Sequence, residues 1–393
     1  MRSADLLGAA GTALLLAACG GSSHSSNPAG TGAADNVVSV SVDGPGCSDG
    51  SYFNKPCVSV KVCVPGTTNC QVISDLLLDT GSVGLRVFSQ VLTLPLSQLP
   101  APGGGLTECV GYLDGSAQWG PVVDASIVLG NEPAVRVPIQ RIDSTYASLP
   151  AACSGAQQAP ADAGFNGILG VGVWLQDCGP GCEGAGNGVY FSCSGSSCSS
   201  TSASLSSQLT NPVAALPQDN NGVVVRLPAV PALGAPSAEG QLVLGIGTRA
   251  NNTPPGALNV LALDGFGEFV TTQGTHTVSA FVDTGSNGLF FTPPAGASLP
   301  SCPVPYDAWF CPASTQTLQA SNGGADGSTP VAVSFQIASI DALAADAGVS
   351  SAVGGSSIDG SFDWGLPFHL GRDVYVGFES EGSTLGTGPL VAY

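Results

Sequence analysis

Alternating apolar and polar residues run through most of the chain beyond residue 36. Segments 38–42 and 58–62 each place valine at every second position, and turn-forming residues follow both segments. A period of two is typical of strands that bury one face. The pattern repeats to the C-terminus and predicts an all-β fold.

Helical segments are scarce in this pattern. Only residues 340–349 have both the length and the composition of a helix, and residues 205–209 form a shorter candidate. Charged residues are 9% of the chain, whereas glycine numbers 55 and proline 29, which suits turns between strands better than helices with charged faces. At 393 residues the chain exceeds the size at which one core usually stops growing, so two similar lobes are expected.

The sequence contains an internal repeat. Residues 76–85 read Leu-Leu-Leu-Asp-Thr-Gly-Ser-Val-Gly-Leu and residues 280–289 read Ala-Phe-Val-Asp-Thr-Gly-Ser-Asn-Gly-Leu, so that Asp283 follows Asp79 by 204 positions. Two similar hairpin turns would also share Asp and Gly, but turn residues between buried strands normally vary more than this. The repeat therefore indicates a shared chemical role.

The paired motif suits acid–base catalysis. Two carboxylates brought together, here Asp79 and Asp283, cannot both ionise cheaply, so they share a proton and divide the roles of acid and base. Such a pair activates water for attack on a peptide carbonyl. The residues that follow each Asp have hydroxyls or amides able to support the pair: Thr80, Gly81, Ser82, Thr284, Gly285 and Ser286.

On these motifs the chain resembles the pepsin-like aspartic proteases, and further segments extend the resemblance over residues 37–393 in family order. They are Phe-Asn-Gly-Ile-Leu-Gly at 165–170, Asn-Pro-Val at 211–213, Gly-Gln-Leu-Val-Leu-Gly at 240–245, Trp-Gly-Leu-Pro-Phe at 364–368 and Val-Tyr-Val-Gly-Phe at 374–378. The resemblance implies a bilobal fold of two similar β-barrel-like lobes, 37–216 and 217–393, with a cleft between them.

Residues 112–116, Tyr-Leu-Asp-Gly-Ser, resemble the family's flap, a hairpin that closes over substrate. The resemblance implies that Tyr112, Asp114, Gly115 and Ser116 form a substrate-binding flap. Leu113 departs from the family, which has a glycine at this flap position.

Arg86 is a second departure, because the pepsins usually have at this position a tryptophan that supports the flap tyrosine. A cation close to the Asp pair would lower the apparent pKa values of the pair or bind a substrate carboxylate. The alternative is that Arg86 forms an ion pair with an acid such as Glu108 or Asp114.

The N-terminus predicts export and a lipid anchor. Arg2 precedes an apolar stretch at 6–18, which is long enough for a signal peptide but too short to span a membrane. Leu-Ala-Ala-Cys at 16–19 resembles the bacterial lipobox, so we expect a signal peptide at 1–18 and a lipidated Cys19 followed by a Gly- and Ser-rich tether to residue 36. An ordinary secretory signal with an incidental Cys19 is the alternative.

These features together resemble a family of bacterial lipoproteins whose shared domain has no established function. From them we expect the protein in the bacterial cell envelope, lipid-anchored to the outer membrane on its periplasmic or its surface face.

Cysteine counting agrees with an oxidising compartment. Without Cys19, twelve of the 13 cysteines remain, an even number. Turn-like spacings predict four local disulfides, namely Cys47–Cys57, Cys63–Cys70, Cys193–Cys198 and Cys302–Cys311. The connectivity of four further cysteines stays open, namely Cys109, Cys153, Cys178 and Cys182. A zinc site built from Cys178, Cys182, Cys193 and Cys198 is the alternative.

Charge limits the partners. The formal net charge is −19, which repels nucleic acid and anionic lipid surfaces, so membrane contact should come from the lipid anchor alone. The three histidines are too scattered for a zinc-hydrolase motif, and we expect neither a metal nor a cofactor. The expected partner is a polypeptide substrate, bound by a monomer.

Two functions remain in competition at this stage. The first is an aspartic endopeptidase that cleaves between apolar residues, with the peptide bound as an added strand under the flap. The second is a catalytically inactive peptide- or ligand-binding lipoprotein of the same fold. A purely structural envelope protein is a third and weaker reading.

The anchor generates the first testable prediction. Cys19→Ser should move the protein from the membrane fraction to the soluble fraction, because the lipid chains supply nearly all of the membrane affinity and the acidic body supplies none. Fractionation beside the unsubstituted protein measures this. Unchanged membrane association would show that Cys19 is not the anchor.

Overall fold

The fold is all-β, as the alternating pattern predicts. The computed structural model describes residues 34–44, 46–48, 52–343 and 345–393. The predicted signal peptide at 1–18, Cys19 and the tether as far as residue 33 lie outside the described residues. Within the described ranges, no helix has the length and apolar character needed to cross a membrane.

Strands before residue 201 are mostly long. They are β1 Val37–Val42, β2 Pro56–Cys63, β3 Cys70–Asp79, β4 Val83–Phe88, β5 Pro100–Ala101, β6 Gly104–Gly111, β7 Ala117–Val128, β8 Val135–Ile142, β9 Gly167–Val171, β10 Tyr190–Ser194 and β11 Ser197–Ser200.

Strands after residue 221 include several short ones. They are β12 Gly222–Leu227, β13 Ala238–Leu244, β14 Val260–Ala262, β15 Phe269–Gln273, β16 His276–Asp283, β17 Leu289–Phe291, β18 Gln316–Gly323, β19 Val331–Ile337, β20 Gly354–Ser356, β21 Phe362–Gly365, β22 Arg372–Gly377, β23 Gly382–Ser383, β24 Gly386–Thr387 and β25 Leu390–Ala392.

The helices of the described residues are single turns. The α-helices are α1 Pro160–Ala163 and α2 Leu366–His369, and 3-10 turns lie at Ala151–Cys153, Gly179–Cys182, Leu205–Ser207, Ala250–Asn252 and Ile340–Ala342.

Six strands close into a barrel in the order β2-β3-β9-β4-β8-β7, with β7 pairing back to β2. The pairs β3–β9 and β4–β8 are parallel, and the other neighbours are antiparallel. Val58, Val60 and Val62 of β2 are buried while Ser59 and Lys61 between them are exposed. Each buried valine contributes roughly 1.5–3 kcal/mol, so the alternation fixes the face that β2 turns to the core.

A second sheet, of seven strands, has the order β19-β18-β15-β16-β21-β17-β20 and does not close. Its parallel pairs are β16–β21 and β17–β20. Aromatic rings fill its core: Phe362 stacks on Trp364 with centroids 4.0 Å apart and on Phe291 at 4.9 Å. Such pairs add about 0.5–1.5 kcal/mol each beyond simple burial.

Further strands continue the barrel sheet across the molecule. Strand β1 pairs with β2 on one side and with β13 on the other, and β12, β22, β25 and β14 follow β13 in order. Residues from both ends of the chain therefore share one hydrogen-bonded sheet. The predicted lobe boundary at 216/217 lies between β11 and β12, and the division into lobes stays a prediction.

Six disulfides cross-link the described residues. The four local pairs are those that spacing predicts, Cys47–Cys57, Cys63–Cys70, Cys193–Cys198 and Cys302–Cys311, and the remaining bonds are Cys109–Cys153 and Cys178–Cys182. The zinc alternative is wrong, because all four of its cysteines are bonded in disulfides and offer no thiolate.

The helix expected at 340–349 is also wrong. Only Ile340–Ala342 forms a turn of 3-10 helix, and Val349 instead makes a β-bridge with Ala235. The N–H groups of Gly348 and Val349 both donate to the carbonyl of Ala235, so tertiary pairing overrides local propensity. The shorter candidate at 205–209 is a single 3-10 turn, Leu205–Ser207.

A buried ion-pair cluster joins strand β4 to strand β6. Nη2 of Arg86 lies 2.6 Å from Oε1 of Glu108 and 3.2 Å from Oδ2 of Asp177, and all three side chains are almost completely buried. Of the two pairings considered for Arg86, Glu108 is the partner and Asp114 is not. Burial, and then the nearby Glu108, raise the pKa of Asp177 well above its ordinary value. The guanidinium is thus committed to internal acids rather than free to bind a ligand.

This cluster generates the second testable prediction. Arg86→Met should lower the free energy of unfolding by about 3–5 kcal/mol, because it leaves Glu108 and Asp177 buried without a cation. Denaturant unfolding at neutral pH, with the disulfides intact, measures the change.

The matched control is Arg136→Met. Arg136 pairs with Asp124 on the surface and its side chain is 70% exposed, so its loss should change stability little. A small effect in both variants would contradict a structural role for the Arg86 cluster.

Candidate active site

The two copies of the repeated motif have the same local structure. Asp79 is the last residue of β3 and Asp283 is the last residue of β16. Each strand has a parallel neighbour, and Asp79 lies opposite Gly170 of β9 as Asp283 lies opposite Gly365 of β21. Parallel strands aligned in this way carry both aspartates to equivalent strand ends, where the following loops meet.

Two threonines link the loops reciprocally. The N–H of Thr80 donates to Oγ1 of Thr284 at 3.1 Å, and the N–H of Thr284 donates to Oγ1 of Thr80 at 3.0 Å. The hydroxyl of Thr80 then donates to the carbonyl of Val282 at 3.2 Å, and that of Thr284 donates to Leu78 at 2.7 Å. All of these groups are buried, so the two loops are held together by a closed set of hydrogen bonds.

Each aspartate is also bonded within its own loop. The N–H of Gly81 donates to Oδ1 of Asp79 at 2.7 Å, and the hydroxyl of Ser82 donates to Oδ2. The second loop repeats both bonds, at 2.7 Å and 2.9 Å, through Asp283, Gly285 and Ser286. These contacts fix the orientation of both carboxyl groups. The six residues expected to support the pair therefore all contact it or link its loops.

The two glycines let the carboxyl groups approach each other. A Cβ placed on Gly81 would lie 2.7 Å from Cγ of Asp283, and one placed on Gly285 would lie 3.0 Å from Cγ of Asp79. Burial, and then the charge of Asp79, raise the pKa of Asp283 well above its ordinary value. This direction is expected of two carboxyl groups in contact, because the charge of one disfavours ionisation of the other.

A cavity of about 760 Å³ lies over the pair. Asp79 and Asp283 form part of its lining, and so do residues of the hairpin between β6 and β7. This volume is typical of sites that hold an organic ligand.

The hairpin at 112–116 has a tight loop. The N–H of Tyr112 donates to the carbonyl of Ser116 at 2.9 Å, and Oδ1 of Asp114 accepts the Ser116 N–H at 2.8 Å. Gly115 has a φ of 84°, which favours glycine at this turn. Tyr112, Asp114 and Ser116 line the cavity, whereas Gly115 does not.

Tyr112 is the half-buried residue at the start of this loop. Its hydroxyl donates to Oε1 of Gln118 at 3.1 Å. Burial raises the pKa of Tyr112, so the hydroxyl stays protonated and remains a hydrogen-bond donor. Leu113 beside it is exposed.

Two residues of the site were missed by sequence reasoning. The hydroxyl of Tyr52 donates to the carbonyl of Gly285 at 2.6 Å, and no local pattern around Tyr52 signals this long-range contact. Asp363 of β21 lines the cavity and is 7% exposed, and burial raises its pKa to about 8. A charged residue inside the apolar string Phe-Asp-Trp-Gly was the signal that could have found Asp363.

Potential metal ligands converge at one place among the described residues, where Cys47, Cys57 and Asp75 lie together. Cys47 and Cys57 form a disulfide, so neither sulfur is a thiolate able to bind a metal.

Comparison with known proteins identifies the family. No curated protein matches the chain. The family model described as "Protein of unknown function (DUF3443)" matches residues 32–393, which is most of the chain. The chain therefore belongs to this family of proteins of unknown function.

Proposed function

We propose that this protein is an aspartic endopeptidase with a pepsin-like bilobal fold, whose lobes are residues 37–216 and 217–393. The observation that carries the proposal is the reciprocal bonding of Thr80 and Thr284, which holds two identical Asp-Thr-Gly-Ser loops with their carboxyl groups facing each other. A purely structural turn would not require the same four residues in both copies. It would also not require a cavity above the two loops.

The mechanism uses water held between Asp79 and Asp283. The ionised carboxylate accepts a proton from this water, which attacks the peptide carbonyl, while the protonated partner donates to the developing oxyanion. The raised pKa of Asp283 favours this half-protonated state. The amide and hydroxyl bonds of Gly81, Ser82 and their counterparts keep both carboxyls oriented during proton transfer.

The substrate is a polypeptide in extended form. The cavity lies beneath an antiparallel hairpin, and Tyr112 reaches into it beside Asp79, as suits a flap that covers peptide and excludes water. On the barrel side the lining includes three apolar side chains, Leu77, Phe165 and Ile168. These side chains favour an apolar substrate residue next to the cleaved bond.

The proposal also includes the cellular setting. The enzyme would be a monomer in the bacterial cell envelope, attached through Cys19, and would work without a metal, a cofactor or nucleic acid. The tether beyond Cys19 would let the acidic body move freely beside the membrane.

An inactive binding lipoprotein of the same fold is the second candidate. The exposed Leu113 favours it, because a branched side chain stands at a flap position where the pepsins have glycine. In this case the cavity would bind peptide under a stiffer hairpin without hydrolysis.

The third testable prediction asks whether hydrolysis requires both Asp79 and Asp283. Asp79→Asn and Asp283→Asn should each fold normally and lose essentially all hydrolysis of an unfolded protein, because an amide can neither share the proton nor act as a base. In the unsubstituted protein, activity should fall as pH rises through the raised pKa of Asp283, since the acid is then lost.

The measurement is digestion of unfolded protein by the full-length enzyme across acidic to neutral pH. Circular dichroism of each variant controls for folding. Substantial activity in either single variant would exclude this mechanism.

The fourth testable prediction separates enzyme from binding protein. Tyr112→Ala should lower kcat/KM by about ten- to a thousandfold, because the flap tyrosine excludes water and aligns the scissile carbonyl mainly in the transition state. Tyr112→Phe keeps the ring and removes the bond to Gln118, so it isolates the hydroxyl.

Kinetics on a cleavable peptide and calorimetric binding of a non-cleavable analogue give the two readouts. In a binding protein, Tyr112→Ala would weaken affinity and there would be no turnover to lose. Active protein whose kinetics do not change would show that residues 112–116 are not a flap.

A further inference from the structure

The two walls of the cavity differ at one equivalent position. In the barrel, Ile168 of β9 lies two residues before the glycine that pairs with Asp79. In the seven-stranded sheet, Asp363 of β21 lies two residues before the glycine that pairs with Asp283. Both residues line the cavity. The repeated architecture thus places an apolar side chain on one side of the dyad and a carboxyl group on the other.

Asp363 has no cationic partner among the described residues. Its Oδ1 is buried without a hydrogen-bond partner, and none of the ion pairs formed by the described residues includes it. An unpaired buried carboxyl is costly in a folded protein. Burial is also the main cause of its raised pKa, about 8, and a hydrogen bond from the Ser286 hydroxyl lowers this pKa only in part. A cationic ligand group would supply the missing charge.

The surroundings of Asp363 suit a long cationic side chain. Phe290 of β17 pairs with Asp363 in the same sheet, and Ile358 and Asp359, in the loop between β20 and β21, line the same cavity. Lysine and arginine place an apolar stem against such surfaces and extend a charged head to a carboxylate.

The charge of the whole cavity points the same way. Its described lining contains seven aspartates, three of which have raised pKa values, and a single basic residue, Arg86, which Glu108 and Asp177 already pair. A cavity lined by one sign of charge raises the local concentration of ligands of opposite sign.

We infer that Asp363 forms a subsite for a cationic substrate side chain, so that peptides bind with a lysine or arginine on the Asp363 side and an apolar residue on the Ile168 side. The inference rests on the proposed peptide-binding role of the cavity. On the Asp363 side of the cleaved bond, the expected substrate residue is therefore basic and not apolar.

The test uses the full-length protein in detergent and four peptides. Two place leucine and lysine at the central bond in either order, and two replace that lysine with norleucine, which has a similar stem and no charge. For one order, kcat/KM should be higher for lysine by on the order of 30-fold, the effect of a desolvated charge pair. Asp363→Asn should abolish this ratio, and Asp363→Ile, which copies Ile168, should reverse it.

The matched control is Asp162→Asn. Asp162 also lines the cavity but belongs to α1 on the barrel side, so this change removes one negative charge without touching the proposed subsite. The lysine-to-norleucine ratio should persist in this variant. Loss of the ratio in both variants alike would show a general charge effect and overturn the subsite.

Binding separates this inference from the proposed hydrolysis. The four peptides are titrated calorimetrically into Asp79→Asn, which leaves Asp363 and its sheet intact. Tighter binding of a lysine peptide that is lost in Asp79→Asn/Asp363→Asn would support the subsite. If no peptide is cleaved by the unsubstituted protein, this result would overturn the endopeptidase proposal and leave the subsite standing.

Cleavage of lysine and norleucine peptides at equal rates would overturn the subsite and leave the endopeptidase standing. Equal or absent binding without any cleavage would overturn both. If the Asp363 variants do not fold, the unsubstituted protein is tested with the lysine and norleucine peptides and with a second pair of peptides that carry arginine or uncharged citrulline. Equal cleavage and equal binding within both pairs would overturn the subsite.

Discussion

The reciprocal hydrogen bonds between Thr80 and Thr284 are the constraint on which the rest of the site depends. They join backbone to side chain between loops that are 204 positions apart, in a buried setting where an unmade bond would leave a polar group unsatisfied. Because they fix the loop spacing, they also fix how closely Asp79 and Asp283 approach. Gly81 and Gly285 are needed for the same reason, since any side chain there would strike the opposite carboxyl group. The geometry and the chemistry of the site are therefore set by the same two Asp-Thr-Gly-Ser loops.

Burying carboxyl groups in this way lowers the stability of the fold, and this loss of stability grows as pH rises. The pKa of Asp363 is raised from 3.8 to about 8, mainly by burial. Between these values the unfolded chain releases the proton while the folded chain retains it, so the contribution of Asp363 to stability falls as pH rises. Asp283 acts in the same direction. The six disulfides of the described residues and a large apolar core offset such costs.

Local features of this structure could be read from the sequence, and long-range ones could not. Alternating valines predict β2 because strand periodicity is a local property, and Cys63–Cys70 follows from the turn that it brackets. Cys109–Cys153 spans 44 residues, so no local rule selects it. The helix expected at 340–349 fails because Val349 pairs with distant Ala235. The duplicated motif identifies the aspartates, but Asp363 joins them only through the register of two parallel strands.

The same strand register makes the two walls of the cavity different. The two loops of the Asp pair are alike, because each carboxyl group has equivalent bonds within its own loop. The walls break this symmetry, since Ile168 and Asp363 occupy equivalent positions with opposite polarity. A peptide with one apolar and one basic side chain then satisfies both walls in only one orientation. In the reverse orientation the carboxyl group stays unpaired and the cation meets an apolar surface, and both effects disfavour binding. Under the proposed function, the walls of the cavity, and not the equivalent bonds of the two loops, would thus select the orientation of the peptide.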